Sequence, residues 1–359
     1  MFSNPRKLDA SGVFRFQSLD LQGHPPVRVT VLRSPCSTIC NTMSSALPLV
    51  IINPTAGGGE AGRSWAAAAA TLRSHFGPYQ CAFTEREGDA ARLAEEEARA
   101  GRRFIISFGG DGTISEVARG ILRSRVEAEL GVLPQGTGAD FLRTLGVPSR
   151  LADAARALRC GQSRKIDVGQ VFFTRPDGAT ESRHFINSAS FGLSGEVAAR
   201  TNRVHRANGR HPFGGTLAYA THTLKAAMAF VPPAVWIQIG TDAARRLSIT
   251  QVSINNGKFF GGGMKIAPGA SLIDGHLDLV IVRKLPFGRI VADGPRIYTG
   301  THLSLPEVDH SRVESVSAWP VSEGATIGLE VDGETPGALP ARFQVWPQAL
   351  IVRTPLNTN

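Results

Sequence analysis

The chain has 359 residues, 42% of them hydrophobic and 19% charged, with a formal net charge of +9. That length suits two domains, and the composition supports a sizeable core and excludes a chain disordered throughout. The positive charge suits an anionic partner, but it is spread as single arginines without a dense basic run, which argues against a dedicated nucleic-acid binder.

Residues 1–45 are rich in Pro, Ser, Asn and Thr and sustain no period, so no regular structure is expected there. Met43 stands just before the first strand and is the alternative start of the native chain. Leu47 to Ile52 is an apolar strand that ends in Asn53-Pro54-Thr55-Ala56-Gly57-Gly58-Gly59. Arg63 to Phe76 has helical propensity, Tyr79 to Phe83 reads as a strand, and Ala90 to Ala100 as a charged helix, with Asp89 as its N-cap. Phe104 to Phe108 is a short apolar strand running into Gly109-Gly110-Asp111-Gly112, after which Thr113 and Glu116 have the spacing of a capping box. A helix follows to about Arg123, then a strand from Leu130 to Leu133, the loop Pro134-Gln135-Gly136-Thr137-Gly138-Ala139-Asp140-Phe141, and helix through Leu158. Alternating strand and helix predict a mainly parallel sheet with helices on both faces, whose ligands bind at the carboxyl ends of the strands. Asn53, Thr84, Asp111 and Thr137 all follow strands, so their loops converge on one edge.

Beyond about Lys165 the texture changes. Ile166–Thr174, Arg183–Ser188, Val235–Ile239, Arg246–Ile254, Leu277–Arg283, Val313–Ala318, Thr326–Val331 and Arg342–Val352 read as strands, with few helices, chiefly Thr216–Phe230 and Arg289–Tyr298. Many strands with turn signals predict a β-sandwich or barrel-like second domain. The expected division is therefore 1–45 without regular structure, 46–163 as an α/β nucleotide-binding domain, and 164–354 as a β-rich substrate domain.

Glycines let main-chain N–H groups approach an anion, and a helix N-terminus favours negative charge, so the Gly109–Thr113 turn points to phosphate binding. Asp111 would repel a bare phosphate, which suggests that Mg²⁺ or a polar network intervenes. Cys36, Cys40, Cys81 and Cys160 form no metal-like pair and no disulfide framework, so a reducing cytoplasm is the default. No apolar stretch is long enough to span a membrane, the closest being broken at Pro232-Pro233.

The three glycine loops, in this order and spacing, resemble the catalytic domain of the diacylglycerol kinase and sphingosine kinase family, in particular its soluble bacterial lipid kinases. Asn187-Ser188-Ala189-Ser190-Phe191-Gly192, Gly261-Gly262-Gly263-Met264-Lys265-Ile266-Ala267-Pro268, Asp274-Gly275-His276-Leu277-Asp278 and Val331-Asp332-Gly333-Glu334 extend the likeness over about residues 47–354. The resemblance implies an α/β fold: a Rossmann-like N-terminal nucleotide-binding domain plus a C-terminal β-sandwich, as in NAD kinases and diacylglycerol kinases, with an ATP cleft between them. It implies transfer of the γ-phosphoryl group of ATP, with Mg²⁺, to a lipid hydroxyl of a diacylglycerol, sphingoid base, ceramide or similar alcohol. Such an enzyme would serve lipid metabolism and phospholipid biosynthesis from the cytoplasm, in transient contact with the membrane surface. Pairing through the second domain, as in other members, makes a homodimer an expectation as well.

By the same resemblance, the nucleotide is held by Asn53, Pro54, Gly57, Thr84, Gly109, Gly110, Asp111, Gly112, Thr113, Glu116, Gly136, Thr137 and Asp140. Asp111 lies on the metal network or near the acceptor hydroxyl, and Glu116 either near the nucleotide or in a helix cap. Asp332 matches a proposed general base, with Glu334 beside it; standing alone, Asp-Gly there would read as a β-turn. Asp274 matches a position that helps hold a structural Mg²⁺, and Asp278 reads equally as a strand end. Arg203, Arg206 and Arg210 fall where sphingosine kinases place arginines on the phosphates, although a solvated basic loop explains them as well. Two departures stand out: Ala139 replaces an Asn, and Asp89 a His. An NAD kinase shares the Gly-Gly-Asp-Gly-Thr turn, but Pro134-Gln135-Gly136-Thr137 argues against it. A non-catalytic nucleotide or lipid sensor, suggested by Ala139, is opposed by Asp111, Asp332 and Glu334.

Overall fold

A computed structural model of the chain describes residues 47–135, 138–175, 177–198 and 228–356. The N-terminal lobe alternates β1 (Leu49–Ile52), α1 (Glu60–His75), β2 (Gln80–Phe83), α2 (Asp89–Arg99), β3 (Phe104–Gly109), α3 (Asp111–Ser124), β4 (Glu129–Pro134), α4 (Asp140–Leu145) and α5 (Leu151–Cys160). Its strands are parallel in the order β2-β1-β3-β4. The continuous apolar sequence of β1 follows from burial on both faces. Leu49 and Ile51 pack with α2 and α3, whereas Val50 and Ile52 pack with α1 and α5. The layers are tight: a Cβ on Gly120 of α3 would lie 2.2 Å from the Ala91 carbonyl of α2, so only glycine lets these helices approach.

The second lobe contains β5 (Gln162–Thr174), β6 (Thr180–Phe185), β7 (Ser188–Gly192), β8 (Ala234–Ile239), β9 (Arg245–Asn255), β10 (Leu277–Arg283), α6 (Phe287–Asp293), α7 (Arg296–Thr299), β11 (Val308–Val313), β12 (Ser315–Pro320), β13 (Leu329–Val331) and β14 (Ala338–Thr354). One layer runs β8-β12-β14-β5-β6 and the other β13-β7-β9-β10-β11, all antiparallel. β9 passes between layers, pairing β8 through Arg245–Ser248 and then β7 and β10. The sandwich core includes Val171, Phe185, Val252, Ile254, Leu279 and Leu329, with the Phe191 and Phe343 rings stacked 6.2 Å apart. Each such side chain, fully buried, contributes about 1.5–3 kcal/mol. The α/β lobe with a β-sandwich agrees with the predicted class.

β14 joins the lobes. Its first residues pair β12 and β5, and its last, Ile351 and Val352, pair β4 in parallel, so the end of the chain completes the N-terminal sheet.

Several elements differ from expectation. The run Arg183–Ser188 is two strands, because the main-chain amides at 186–188 turn to the Asp332 carboxylate instead of continuing a ladder. Val313–Ala318 is likewise split, the chain leaving β11 for the opposite layer in β12. The helix after the glycine turn begins at Asp111, two residues before Thr113, with Gly110 as N-cap and no side-chain cap. Asp89 is the first residue of α2, and its carboxylate reaches back to the amides of Glu85 and Arg86. Most of the expected helix Thr216–Phe230, together with Arg203, Arg206, Arg210, Gly136 and Thr137, lies outside the described residues, as do Cys36 and Cys40. Cys81 and Cys160 are free thiols. Among the described residues no helix is long and apolar enough to cross a membrane.

Candidate active site

The carboxyl ends of β1, β2 and β3 open onto a cleft of about 320 Å³. Asn53, Thr55, Thr84 and Thr113 line it with amide and hydroxyl groups, and Glu85, Arg86, Glu87 and Glu116 with charge. Asn53 organises this rim. Its Oδ1 accepts from the Thr55 amide (3.0 Å) and hydroxyl (2.8 Å), while its Nδ2 donates to Thr113 Oγ1 at 3.1 Å. The loop after β1 turns through Gly57, Gly58 and Gly59, all at positive φ, and folds Gly62 onto the Pro54 carbonyl. Gly109 is required by its neighbour: a Cβ there would sit 2.5 Å from Thr113 Oγ1.

Two faces of α3 divide the work. Thr113, Glu116 and Gly120 face the β1 loop and α2. Glu116 Oε2 accepts from the Ala90 amide (3.2 Å), capping α2 rather than its own helix, and burial raises the pKa of its carboxyl. Its side chain also borders the cleft.

Asp111, Ser115 and Arg119 follow at intervals of four and share the other face. Asp111 accepts from the amides of Asp140 and Phe141, both at 3.2 Å, one on each oxygen, and fixes the start of α4. Asp140 in turn accepts from the Gly262 amide (2.7 Å) and pairs with Arg143 (2.8 Å). Burial, assisted by the Asp111 charge, pushes the Asp140 carboxyl up to about 6. Asp140 therefore clamps the glycine loop of the second lobe rather than pointing at solvent.

Asp332, expected as the general base, is held inside a complete shell of donors. Its Oδ2 accepts from Ser115 Oγ (2.6 Å) and the Ile186 amide (3.0 Å), and its Oδ1 from the amides of Asn187 and Ser188 (both 3.0 Å). All four lone pairs are engaged, so no acceptor hydroxyl can reach this carboxylate without displacing a donor. Burial raises its pKa against the opposing pull of those donors. Its φ of 47° is a left-handed conformation that Asp tolerates better than most residues. Glu334 is committed as well, paired with Arg119 (2.7 Å) and Arg183; the two guanidiniums outweigh burial and hold its carboxyl below the usual range. The structure thus brings Asp332 to within one helical turn of Asp111 along α3, but presents neither Asp332 nor Glu334 as an open base.

Asp274, expected at a structural Mg²⁺ position, lies on the turn before β10. Its Oδ1 accepts from the His276 amide and its Oδ2 lies 3.6 Å from Arg312, as in a surface ion pair. Among the described residues no three His, Cys, Asp or Glu side chains gather as a ready-made metal site. A Mg²⁺ ion that arrives with a nucleotide needs less, because phosphates and waters supply most of its ligands. Asp111 fits that need, each of its oxygens keeping a lone pair beyond the amide it accepts. Asp278 is buried and bonded to His310 Nε2 at 2.7 Å, a strand-end role.

Ser115, Arg119 and Arg183 were not read from the sequence as functional, nor were Thr55 and Arg86. A signal existed for two of them: Ser115 and Arg119 continue the four-residue spacing from Asp111, and a buried arginine needs a carboxylate partner.

Comparison with known proteins agrees with this geometry. Residues 48–171 match the diacylglycerol kinase catalytic domain, and residues 187–354 match the YegS C-terminal NAD kinase beta sandwich-like domain. A diacylglycerol kinase of Staphylococcus haemolyticus is 31% identical over 278 residues, covering 76% of this chain and 77% of that one. The diacylglycerol kinase of Bacillus subtilis is 30% identical over 262 residues, covering 71% and 79%. The crystal structure of a diacylglycerol kinase from Bacillus anthracis superposes with a TM-score of 0.62 at 21% identity, covering 86% of this chain and 96% of the other, a likeness of fold. With both family domains in order and the curated relatives matched over most of their length, the chain belongs to the diacylglycerol kinase family of lipid kinases, phosphotransferases that take an alcohol as acceptor.

Proposed function

We propose that this protein transfers the γ-phosphoryl group of ATP to the hydroxyl of a membrane lipid, working from the cytoplasm at the membrane surface. The observation that carries this reading is the cleft where three strand ends meet. Asn53, Thr55, Thr84 and Thr113 offer hydrogen bonds there without adding charge, and the helix that starts at Asp111 has first-turn N–H groups without intrahelical partners next to it. Phosphoryl transfer asks for positioning and charge neutralisation more than for covalent chemistry by the protein.

In this reading Pro54 and Gly57 shape the first loop, Asn53 and Thr84 orient the nucleotide, and Gly136 and Thr137 add donors from the third loop. Arg86, at the cleft edge, neutralises phosphate charge. Bound Mg²⁺ would shield the phosphates from Asp111, which would hold it through the lone pairs left after its two amide bonds. Asp111 is then the carboxylate nearest the reacting groups. Asp332 and Glu334 act as positioning residues that set the second lobe, and with it the lipid acceptor, against Asp111. Diacylglycerol, a sphingoid base, ceramide and related long-chain alcohols are the candidate acceptors, and the sandwich lobe would supply the apolar surroundings that such chains need. A homodimer through that lobe belongs to the same reading.

The test is a lipid-extract screen with radiolabelled ATP, the product being identified by chromatography. A labelled phospholipid made by wild type and not by Asp111→Ala is the expected result. Labelling of NAD instead would overturn the assignment, and wild-type turnover by Asp111→Ala with its fold intact would remove Asp111 from the mechanism.

A further inference from the structure

The helical excursion between β10 and β11 has no part in the cleft, and its composition is out of keeping with its exposure. α6 and α7 bury none of their residues. Yet Phe287 and Val291, four apart and so on one face of α6, are 38% and 48% exposed, and Tyr298 on α7 is 56% exposed. A short helix that presents aromatic and branched apolar side chains to water has a face without a partner. The segment 283–298 also carries Arg283, Lys284, Arg289 and Arg296 against Asp293 as its one acid. Arg289 pairs with Asp293 and also approaches Glu307, and Arg283 lies 3.5 Å from Asp309, so part of that charge is met within the protein. Arg296 lies 3.4 Å from Asp293 as well, yet the three arginines remain 44–48% exposed beside the apolar face.

The excursion is anchored at both ends. Leu285 is buried and its amide donates to Thr250 Oγ1, while Ile297 and Leu303 pack on Ile266, Ala267, Ala270 and Val280. It rests on the same 258–268 loop that the N-terminal lobe holds: Lys265 donates its amide to the Ile297 carbonyl, and Gly262 donates its amide to Asp140. One loop therefore connects the apolar face to the residue that borders Asp111.

We propose that α6 and α7 form the membrane-docking surface of this protein, with Phe287, Val291 and Tyr298 entering the interface of an anionic phospholipid bilayer and Arg283, Lys284 and Arg296 contacting its headgroups. The occupant is set by chemistry: an apolar face rimmed by cations suits a bilayer of negative surface charge, where apolar burial and electrostatic attraction act together. Docked this way, the protein holds the 258–268 loop, which meets Asp140, next to the bilayer that contains its acceptor. The inference rests on the lipid-kinase reading for its purpose and on exposure and charge for its location.

The test uses the full chain and sedimentation with vesicles of phosphatidylcholine alone, or mixed equally with phosphatidylglycerol. Phe287→Ser/Val291→Ser should lower partitioning onto the mixed vesicles by about tenfold or more, in line with the apolar area withdrawn. Arg283→Gln/Lys284→Gln should weaken binding to the mixed vesicles and leave the neutral ones unchanged. Val291→Leu, which adds a methylene, should strengthen binding. Turnover of a soluble short-chain diacylglycerol without vesicles should match wild type in every variant. Unchanged partitioning of the double serine variant would overturn docking while leaving kinase activity intact. Loss of self-association in that variant without loss of vesicle binding would assign the face to a second copy and overturn the proposal. If vesicle binding follows the predictions but no lipid is phosphorylated, docking stands and the kinase reading fails.

Discussion

Replacing Asp332 by Asn separates the two roles a carboxylate can have at that position. The backbone is undisturbed, because Asn accepts the positive φ of 47° as readily as Asp does. The donors are not equally forgiving. The carboxylate accepts from three backbone amides and from Ser115 Oγ. With the Asn oxygen toward Asn187 and Ser188, its Nδ2 faces Ser115, which can rotate to accept, and the Ile186 amide, which cannot. One buried N–H loses its partner, at a cost of about 1–3 kcal/mol. Relief of the carboxylate's own desolvation, seen in its raised pKa, offsets part of that. The expected net loss is about 1 kcal/mol, a fall of about 1–2 °C in melting temperature for a chain this long. Denaturant unfolding of the two proteins, with the ATP dependence of turnover measured in parallel, decides the matter. A strut predicts lower stability together with a moderate loss of turnover. An Asp332→Asn protein as stable as wild type but slower by orders of magnitude at saturating ATP would make Asp332 the base after all and refute the reasoning.

Gly109→Ala should place a Cβ within 2.5–2.6 Å of Thr113 and break its hydrogen bond to Asn53; ATP affinity, measured by equilibrium binding, should fall, with a stability loss of about 1–3 kcal/mol from overpacking. Gly120→Ala, aimed at the Ala91 carbonyl away from the cleft, should lower the unfolding midpoint while sparing the KM for ATP in the protein that remains folded. Glu330 tests pH linkage. It is buried beside Ser190 Oγ and the Gly333 amide, and burial raises its carboxyl from 4.5 to about 7. The folded protein thus holds that proton more tightly than the unfolded chain, so its stabilising effect is full below 4.5 and disappears as pH rises to about 7. The size is about 3 kcal/mol, at 1.36 kcal/mol per unit. Glu330→Gln should remove that slope, gaining on wild type between pH 5 and pH 8 in denaturant midpoints; parallel curves would show that Glu330 is ionised throughout.

What could be read from the sequence was local. β10 was anticipated residue for residue, and the first three loops after strands do meet, because a strand, a glycine turn and a helix are encoded within a dozen consecutive residues. The capping box was read too literally: Glu116 has the right spacing to cap its own helix but finds the amide of Ala90 on α2. Asp332 was expected near Asp111 as a general base, but the shell of donors that engages its carboxylate was not legible. Its partner Ser115 lies 217 positions earlier in the chain, and no spacing rule connects residues so far apart. The arginines on Glu334 were missed for the same reason, since Arg119 and Arg183 come from a helix of one lobe and a strand of the other.

Those long-range contacts explain why the glycine turn and the acidic pair occur together in one protein. α3 is the common wall. Its Thr113–Glu116 face shapes the cleft through Asn53 and α2, and its Asp111–Ser115–Arg119 face meets Asp140, Asp332 and Glu334 in turn. A shift of this helix toward one side therefore loosens the other. β14 adds a covalent constraint, as one strand belongs to the sandwich at its start and to the nucleotide sheet at its end. The lobes cannot swing freely about a single linker. In the proposed reading, reactants brought from the two sides would be aligned by the seam that Asp332 and Glu334 make with α3, and burying Asp332 where it can accept no further hydrogen bond is the arrangement that such a seam requires.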